Sequence, residues 1–176
     1  LLFFTGTLPL SLLGETLFEG MDAFALLAVP LFILTGDALV RTGLSNKLLS
    51  IAEATAGSFR SGFGTSTVLG CGFFSCISGS DAAGCASVGR MTIDRLVKSG
   101  YPRSYAAALV AAGACTGILI PPSIAYIVIG LVLGVSTATL FVAAVIPGTL
   151  ILLSIMATNA FLNRLNNYEN AGKPFS

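Results

Sequence analysis

Two short segments hold the residue types best able to do chemistry in this chain. Ser78-Gly79-Ser80-Asp81 gathers two hydroxyls and a carboxylate around a glycine. Thr116-Gly117-Ile118-Leu119-Ile120-Pro121-Pro122-Ser123 places two hydroxyls on either side of a double proline. A proline inside a helix has no N–H and clashes with the carbonyl four residues earlier. The pair therefore releases the carbonyls of Gly117 and Ile118. Hydroxyls and freed carbonyls are hard oxygen donors, and in an apolar setting an alkali cation suits them. The plainer alternative is a proline kink satisfied by neighbouring Ser and Thr side chains. Asp81 also has two readings. It is either an acid at a helix N-terminus, favoured by the helix dipole, or a cation ligand or substrate-facing charge. A carboxylate at the centre of a membrane helix costs roughly 2.5–3.5 kcal/mol, which makes function the default explanation for one.

Other chemistries are poorly supplied. The chain has no His and no Trp, so imidazole catalysis and imidazole metal sites are excluded within it. Cys71, Cys76, Cys85 and Cys115 form no C-x-x-C pair, so no transition-metal site is read from them. They suit the role of small buried packing residues. An enzyme would need a nucleophile beside a base, and Ser78 and Ser80 have neither His nor Lys near them in sequence. No catalytic residue and no cofactor are therefore assigned. Net charge is +1, which gives no field for nucleic acid.

Composition says where these segments must work. The 176 residues are 55% hydrophobic and only 10% charged, against about 25% charged in a soluble domain. Mean hydropathy is +0.90. The chain reads as all-α and polytopic in a membrane. It begins at Leu1, in an apolar run to Leu13 that lacks the basic flank and cleavage site of a signal peptide. That run reads as the tail of a membrane segment whose start is missing.

The charges then divide the chain. Glu15, Glu19 and Asp22 form an acidic cluster, and residues 23–36 are uncharged. Leu44, Leu48, Ile51 and Ala52 recur at helical spacing, which predicts a short amphipathic arm helix at the membrane surface. From Ser61 to Gly89 the only charge is Asp81, and these 29 residues contain seven glycines. As one helix they would reach about 43 Å, too long for a hydrocarbon core of about 30 Å. Arg90, Arg95, Lys98 and Arg103 follow, then 60 uncharged residues from Ser104 to Asn163. These must cross more than once.

The positive-inside rule selects among the ways of threading this pattern. If 61–89 crossed fully, Arg90 to Arg103 would lie outside. If it enters and returns, all nine basic residues, Arg60 and Lys173 among them, stay on the cytoplasmic side. The expected architecture is therefore a re-entrant hairpin (61–99) with its turn at Ser78 to Asp81, each arm about half a membrane thick, followed by a discontinuous helix (104–134). Together they span 61–135. Residues 1–60 hold the preceding partial membrane helices and the arm helix, 136–163 a transmembrane helix, and 164–176 a polar cytoplasmic tail. Irregular backbone at membrane depth is tolerated only against protein or a water-filled cavity. Broken helices meeting near the midplane are how secondary transporters build ion sites. Gly113-x-x-x-Gly117 and Gly130-x-x-x-Gly134 read as close helix packing. A channel-like pore and, far behind it, an intramembrane enzyme are the rival readings.

At these residues the chain resembles the large membrane (permease) subunit of tripartite ATP-independent periplasmic (TRAP) transporters. The matching segments are Ala28-Val29-Pro30-Leu31-Phe32-Ile33-Leu34-Thr35-Gly36, Ile77-Ser78-Gly79-Ser80, Gly100-Tyr101-Pro102, Gly117 to Ser123, Val135-Ser136 and Pro147-Gly148. They cover about the first of two inverted repeats, and the resemblance implies that 61–135 is one half of a transport domain and 1–60 part of the scaffold and arm. The resemblance implies a sodium-coupled symporter of elevator type in the bacterial inner membrane, importing organic acids such as C4-dicarboxylates or sialic acids. A periplasmic binding protein would deliver the substrate, and a small membrane subunit would support the large one. It further implies a sodium site on Ser78, Gly79, Ser80, Thr116, Gly117, Ile118 and Ser123, with Ser80, Asp81, Pro121 and Pro122 facing substrate. The family commonly has a small residue where Asp81 stands and an acid where Gly84 stands.

Overall fold

The computed structural model describes residues 10–21, 24–56 and 61–169. Asp22, Arg60, Lys173 and the run before Leu10 lie outside them. Every regular element among the described residues is a helix, without a strand. The helices are α1 (Leu10–Met21), α2 (Ala28–Arg41), α3 (Leu44–Ala56), α4 (Gly62–Ser78), α5 (Asp81–Lys98), α6 (Arg103–Leu119), α7 (Ile124–Leu133) and α8 (Thr137–Asn166), with a 3-10 turn at Phe24–Leu27. Arg103–Leu133 and Thr137–Asn166 are each long and apolar enough to cross a membrane, and α2 with α3 adds a third span if that bent pair counts as one. The chain is a polytopic helical membrane protein.

Residues 61–99 form a helical hairpin, not a single span. Gly79 takes the left-handed conformation at φ 63° and returns its N–H to Ser75 O at 2.7 Å, ending α4. Ser80 is extended and caps α5, its hydroxyl accepting the Ala83 N–H at 3.5 Å. Only two residues separate the helices. The second arm runs on past Gly89 to Lys98, so the arms measure about 26 and 27 Å at 1.5 Å per residue. Both are longer than half a bilayer, and the later turns of α5 carry Arg90, Arg95 and Lys98, which suit an aqueous end.

Glycines set how closely the helices pack. A Cβ on Gly113 would meet Val68 and Cys71 of α4, and one on Gly84 would meet Ser75 of α4 and Ala114 of α6. α4 therefore runs parallel to α6, and α5 runs back along both. α8 descends against α6, with Gly148 at Leu119 and Asn159 at Tyr105. The starts of α4 and α6 and the ends of α5 and α8 consequently meet at one end, where Arg95, Lys98, Arg103 and Arg164 gather.

Two details go beyond the sequence pattern. The buried stripe of α3 is Ser45, Leu49, Ala52 and Ala56, packed on α4, while Leu44 and Ile51 are exposed. In a membrane protein small side chains face neighbouring helices and large apolar ones face lipid, so the most hydrophobic face is not the packed one. Cys115 is likewise exposed, although Cys71 is buried. The second concerns the polar tail, whose described part turns back under the hairpin. Glu169 accepts the Phe63 N–H at 3.1 Å and the Tyr101 hydroxyl at 3.2 Å, and Asn163 Oδ1 accepts the Glu169 N–H at 2.9 Å. Tyr168 packs against the rings of Tyr101 and Tyr105.

Candidate functional site: the hairpin tip against a broken helix

α6 stops where the double proline begins. Ile120 is extended and donates its N–H to Thr116 O at 2.9 Å, as expected before a proline. Pro121 and Pro122 have no N–H to return to Gly117 and Ile118. Their peptide bond is cis. Ser123 is extended and opens α7 without a side-chain cap bond.

The break and the hairpin tip touch. The Ile124 N–H donates to Gly79 O at 3.5 Å, and a Cβ on Gly79 would sit 3.4 Å from Pro122 O. One turn back, a Cβ on Gly117 would come within 2.1 Å of Ser75 Cβ. The Asp81 carboxyl lies in hydrogen-bonding reach of its own amide and of the Ile118 backbone. The structure therefore brings Gly79, Ser80 and Asp81 together with Gly117, Ile118, Pro122 and Ser123, residues separated by about 40 positions in sequence.

The hydroxyls divide by use. Thr116 donates to Gly113 O at 2.7 Å, within its own helix. Ser78 donates to Ser80 O at 3.3 Å, across the turn. Ser123 is fully buried, and its Oγ has no partner; Asp81 Oδ1 is also buried without one. Unpartnered buried polar atoms are rare in native proteins. These two lie at the same junction of tip and break.

Three further residues complete the walls. Ser75 is buried between Gly84 and Gly117, its hydroxyl reaching Ala114 O at 3.5 Å. A Cβ on Gly36 of α2 would meet Ser78 Cβ at 3.1 Å, and one on Gly148 of α8 would meet Leu119 O at 2.9 Å. Sequence reasoning gave none of the three a role here. Gly36 and Gly148 stood in matching segments, while Ser75 is an ordinary position of α4 in the sequence. Beside the tip, between α2 and α5, opens a groove of about 310 Å³ lined in part by Gly36, Val40, Ser78, Ser80, Ser87 and Arg90. Of the four residues expected to face substrate, Ser80 lines this groove, whereas Asp81, Pro121 and Pro122 do not.

Comparison with known proteins agrees with this architecture. The family model of the tripartite ATP-independent periplasmic transporter DctM component matches residues 1–175. The chain is 39% identical over 144 residues to the C4-dicarboxylate TRAP transporter large permease protein DctM of Pseudomonas aeruginosa, covering 82% of this chain and 34% of that protein. It is 34% identical to the isethionate TRAP transporter permease protein DctMQ of Oleidesulfovibrio alaskensis, covering 93% and 26%. It is 35% identical to the sialic acid TRAP transporter permease protein SiaT of Haemophilus influenzae, covering 90% and 26%. The chain spans between about a quarter and two fifths of the length of such relatives. With a match along nearly its whole length, the chain belongs to the DctM component family of tripartite ATP-independent periplasmic transporters.

Proposed function

We propose that this chain is the first-repeat part of a sodium-coupled symporter that imports an organic acid across the bacterial inner membrane. A periplasmic binding protein delivers the acid, and a small membrane subunit supports the permease. The reading rests above all on the meeting of tip and break through Gly79 and Ile124. That meeting concentrates oxygens where two helices end. The cation site comprises Ser78, Gly79, Ser80 and Thr116, the carbonyls of Gly117 and Ile118, and Ser123. Thr116 joins through the free lone pair of its hydroxyl. Sodium needs no acid–base partner, which fits a junction rich in hydroxyls and carbonyls. The names of relatives support an organic acid as cargo: they specify C4-dicarboxylate, isethionate and sialic acid. Ser80 takes part in both events, since it caps α5 and lines the groove beside the tip. Binding at the hairpin tip on one side of the membrane and release on the other would follow from movement of the hairpin and broken helix together.

The test is uptake of radiolabelled C4-dicarboxylate into proteoliposomes containing the complete permease, its small subunit and the binding protein. Uptake is expected to require an inward sodium gradient. Ser80→Ala and Ser123→Ala are each expected to raise the sodium concentration for half-maximal uptake several-fold. Uptake that proceeds equally in choline, or unchanged sodium dependence in both variants, rejects the coupling.

A further inference from the structure

The geometry points to Asp81 as an anionic ligand of the cation site, supplying the one full negative charge that balances the bound ion. This assignment rests on the sodium reading above and deepens it. Two independent observations carry it. Asp81 Oδ1 is buried and has no hydrogen-bond partner, although the rest of the carboxyl is within reach of its own amide and of the Ile118 backbone. Ser123, from the other element of the junction, is fully buried with its Oγ also unpartnered.

The position of Asp81 in the first turn of α5 explains part of this. A carboxylate there is favoured by the helix dipole and by the free N–H groups of the turn. That argument accounts for the oxygen facing the amides. It leaves Oδ1 unexplained, because that oxygen has been removed from water and given nothing in exchange. A cation seated between Oδ1, Ser123 Oγ and the carbonyls of Gly117 and Ile118 would satisfy all these oxygens at once. The carbonyls and hydroxyls carry only dipoles, so without Asp81 a bound sodium ion would leave a net charge in a site of low dielectric.

Charge also decides against the other role for Asp81. The proposed cargo is an organic acid and so an anion. A carboxylate turned towards it would repel it, since like charges at short range disfavour one another. The groove beside the tip is lined by Ser80, Arg90 and Asp37, the last paired with Arg41 at 2.6 Å, and not by Asp81. Asp81 thus belongs to the cation, and Ser80 stands between cation and cargo.

The experiment is the thermal stabilisation of the complete permease with its small subunit in detergent, titrated with sodium chloride at constant ionic strength against choline chloride. Asp81→Asn is expected to raise the half-maximal sodium concentration at least ten-fold, and Ser123→Ala several-fold, with melting in choline alone little changed. Should Asp81→Asn fail to assemble, Asp81→Ser keeps an oxygen at the head of α5 and is expected to show the same shift. Asp81→Glu keeps the charge and is expected to restore most of the response. A wild-type protein stabilised no better by sodium than by choline overturns the sodium reading and this assignment together. A wild-type response that Asp81→Asn and Asp81→Ser leave unshifted overturns this assignment alone. A change confined to half-saturation by substrate also overturns it, by placing Asp81 on the cargo side.

Discussion

The hairpin has two ends, and they treat polar groups in opposite ways. At the base the pairing is dense. Glu169 takes the Phe63 amide and the Tyr101 hydroxyl. Tyr105 donates to Asn159 Oδ1 at 3.1 Å, and the Asn159 amide reaches Thr65 at 3.4 Å. Arg95 pairs with Glu53 at 2.9 Å and lies 4.7 Å above the Phe63 ring. At the tip, Asp81 and Ser123 each leave an oxygen buried and unpartnered. The base is held by polar groups paired across distant parts of the chain, whereas the tip keeps two buried oxygens without a protein partner, as the proposed cation site requires. Satisfaction of buried polar groups, more than their number, separates the two.

Substitutions can break this contrast, and the largest effect is expected at the base. Gly100 has φ +106°, and a Cβ there would fall 2.2 Å from Tyr168 O. Gly100→Ala combines a backbone penalty with a clash against main chain that has little room to yield. It is expected to destabilise the protein by about 3 kcal/mol or more, read as a fall in melting temperature in detergent. Next comes the tip. Gly117→Ala drives a methyl into Ser75, at an expected cost of about 2 kcal/mol, and abolishes sodium-dependent uptake by prising α6 from α4. Adding Ser75→Gly removes the obstacle and is expected to restore much of the stability. No rescue would mean that the loss arises elsewhere.

Smaller changes sharpen the division. Glu169→Gln preserves shape while removing charge from two hydrogen bonds, for about 1–2 kcal/mol. Melting should fall while the sodium midpoint stays fixed; a shift in that midpoint would show that base and tip are coupled. The smallest effect at neutral pH concerns Tyr101. Burial, and then the neighbouring Glu169 carboxylate, push its hydroxyl above the ordinary tyrosine range. The folded state thus holds this proton more tightly than the unfolded chain does. The stability it contributes is complete below the unfolded value of about 10 and is lost as pH climbs past it. Tyr101→Phe is expected to flatten that alkaline decline in stability, and an unchanged slope would refute the assignment.

Much of the tip was legible because its signals are local. Ser78-Gly79-Ser80-Asp81 is turn and cap chemistry within four residues, and the double proline cannot continue a helix whatever surrounds it. The spacing of basic residues then forced the return of the hairpin. The base was not legible, because it depends on partners far apart in the chain: Phe63 and Glu169 are separated by 106 positions. Nothing in Asn163, Tyr168 or Glu169 distinguishes a clamp from a solvated tail. Glycines posed an intermediate problem. Gly36 and Gly148 announce close approach without saying to what, and only the structure names Ser78 and Leu119 as the surfaces they meet. The packed face of α3 was not legible either, since lipid rewards outward hydrophobicity and so inverts the rule used for water-soluble helices.

The clamp at Glu169 constrains how any motion can be shared out. Because this carboxylate holds the Phe63 amide in the first turn of α4 and the loop before α6 at once, the foot of α8 is lashed to the hairpin and the broken helix, the pieces proposed to move together. A displacement of the hairpin must tow that foot along or first cast it off. In the proposed motion the bending would fall on joints such as Thr42–Gly43 and Gly134–Ser136, where the chain leaves one helix for the next.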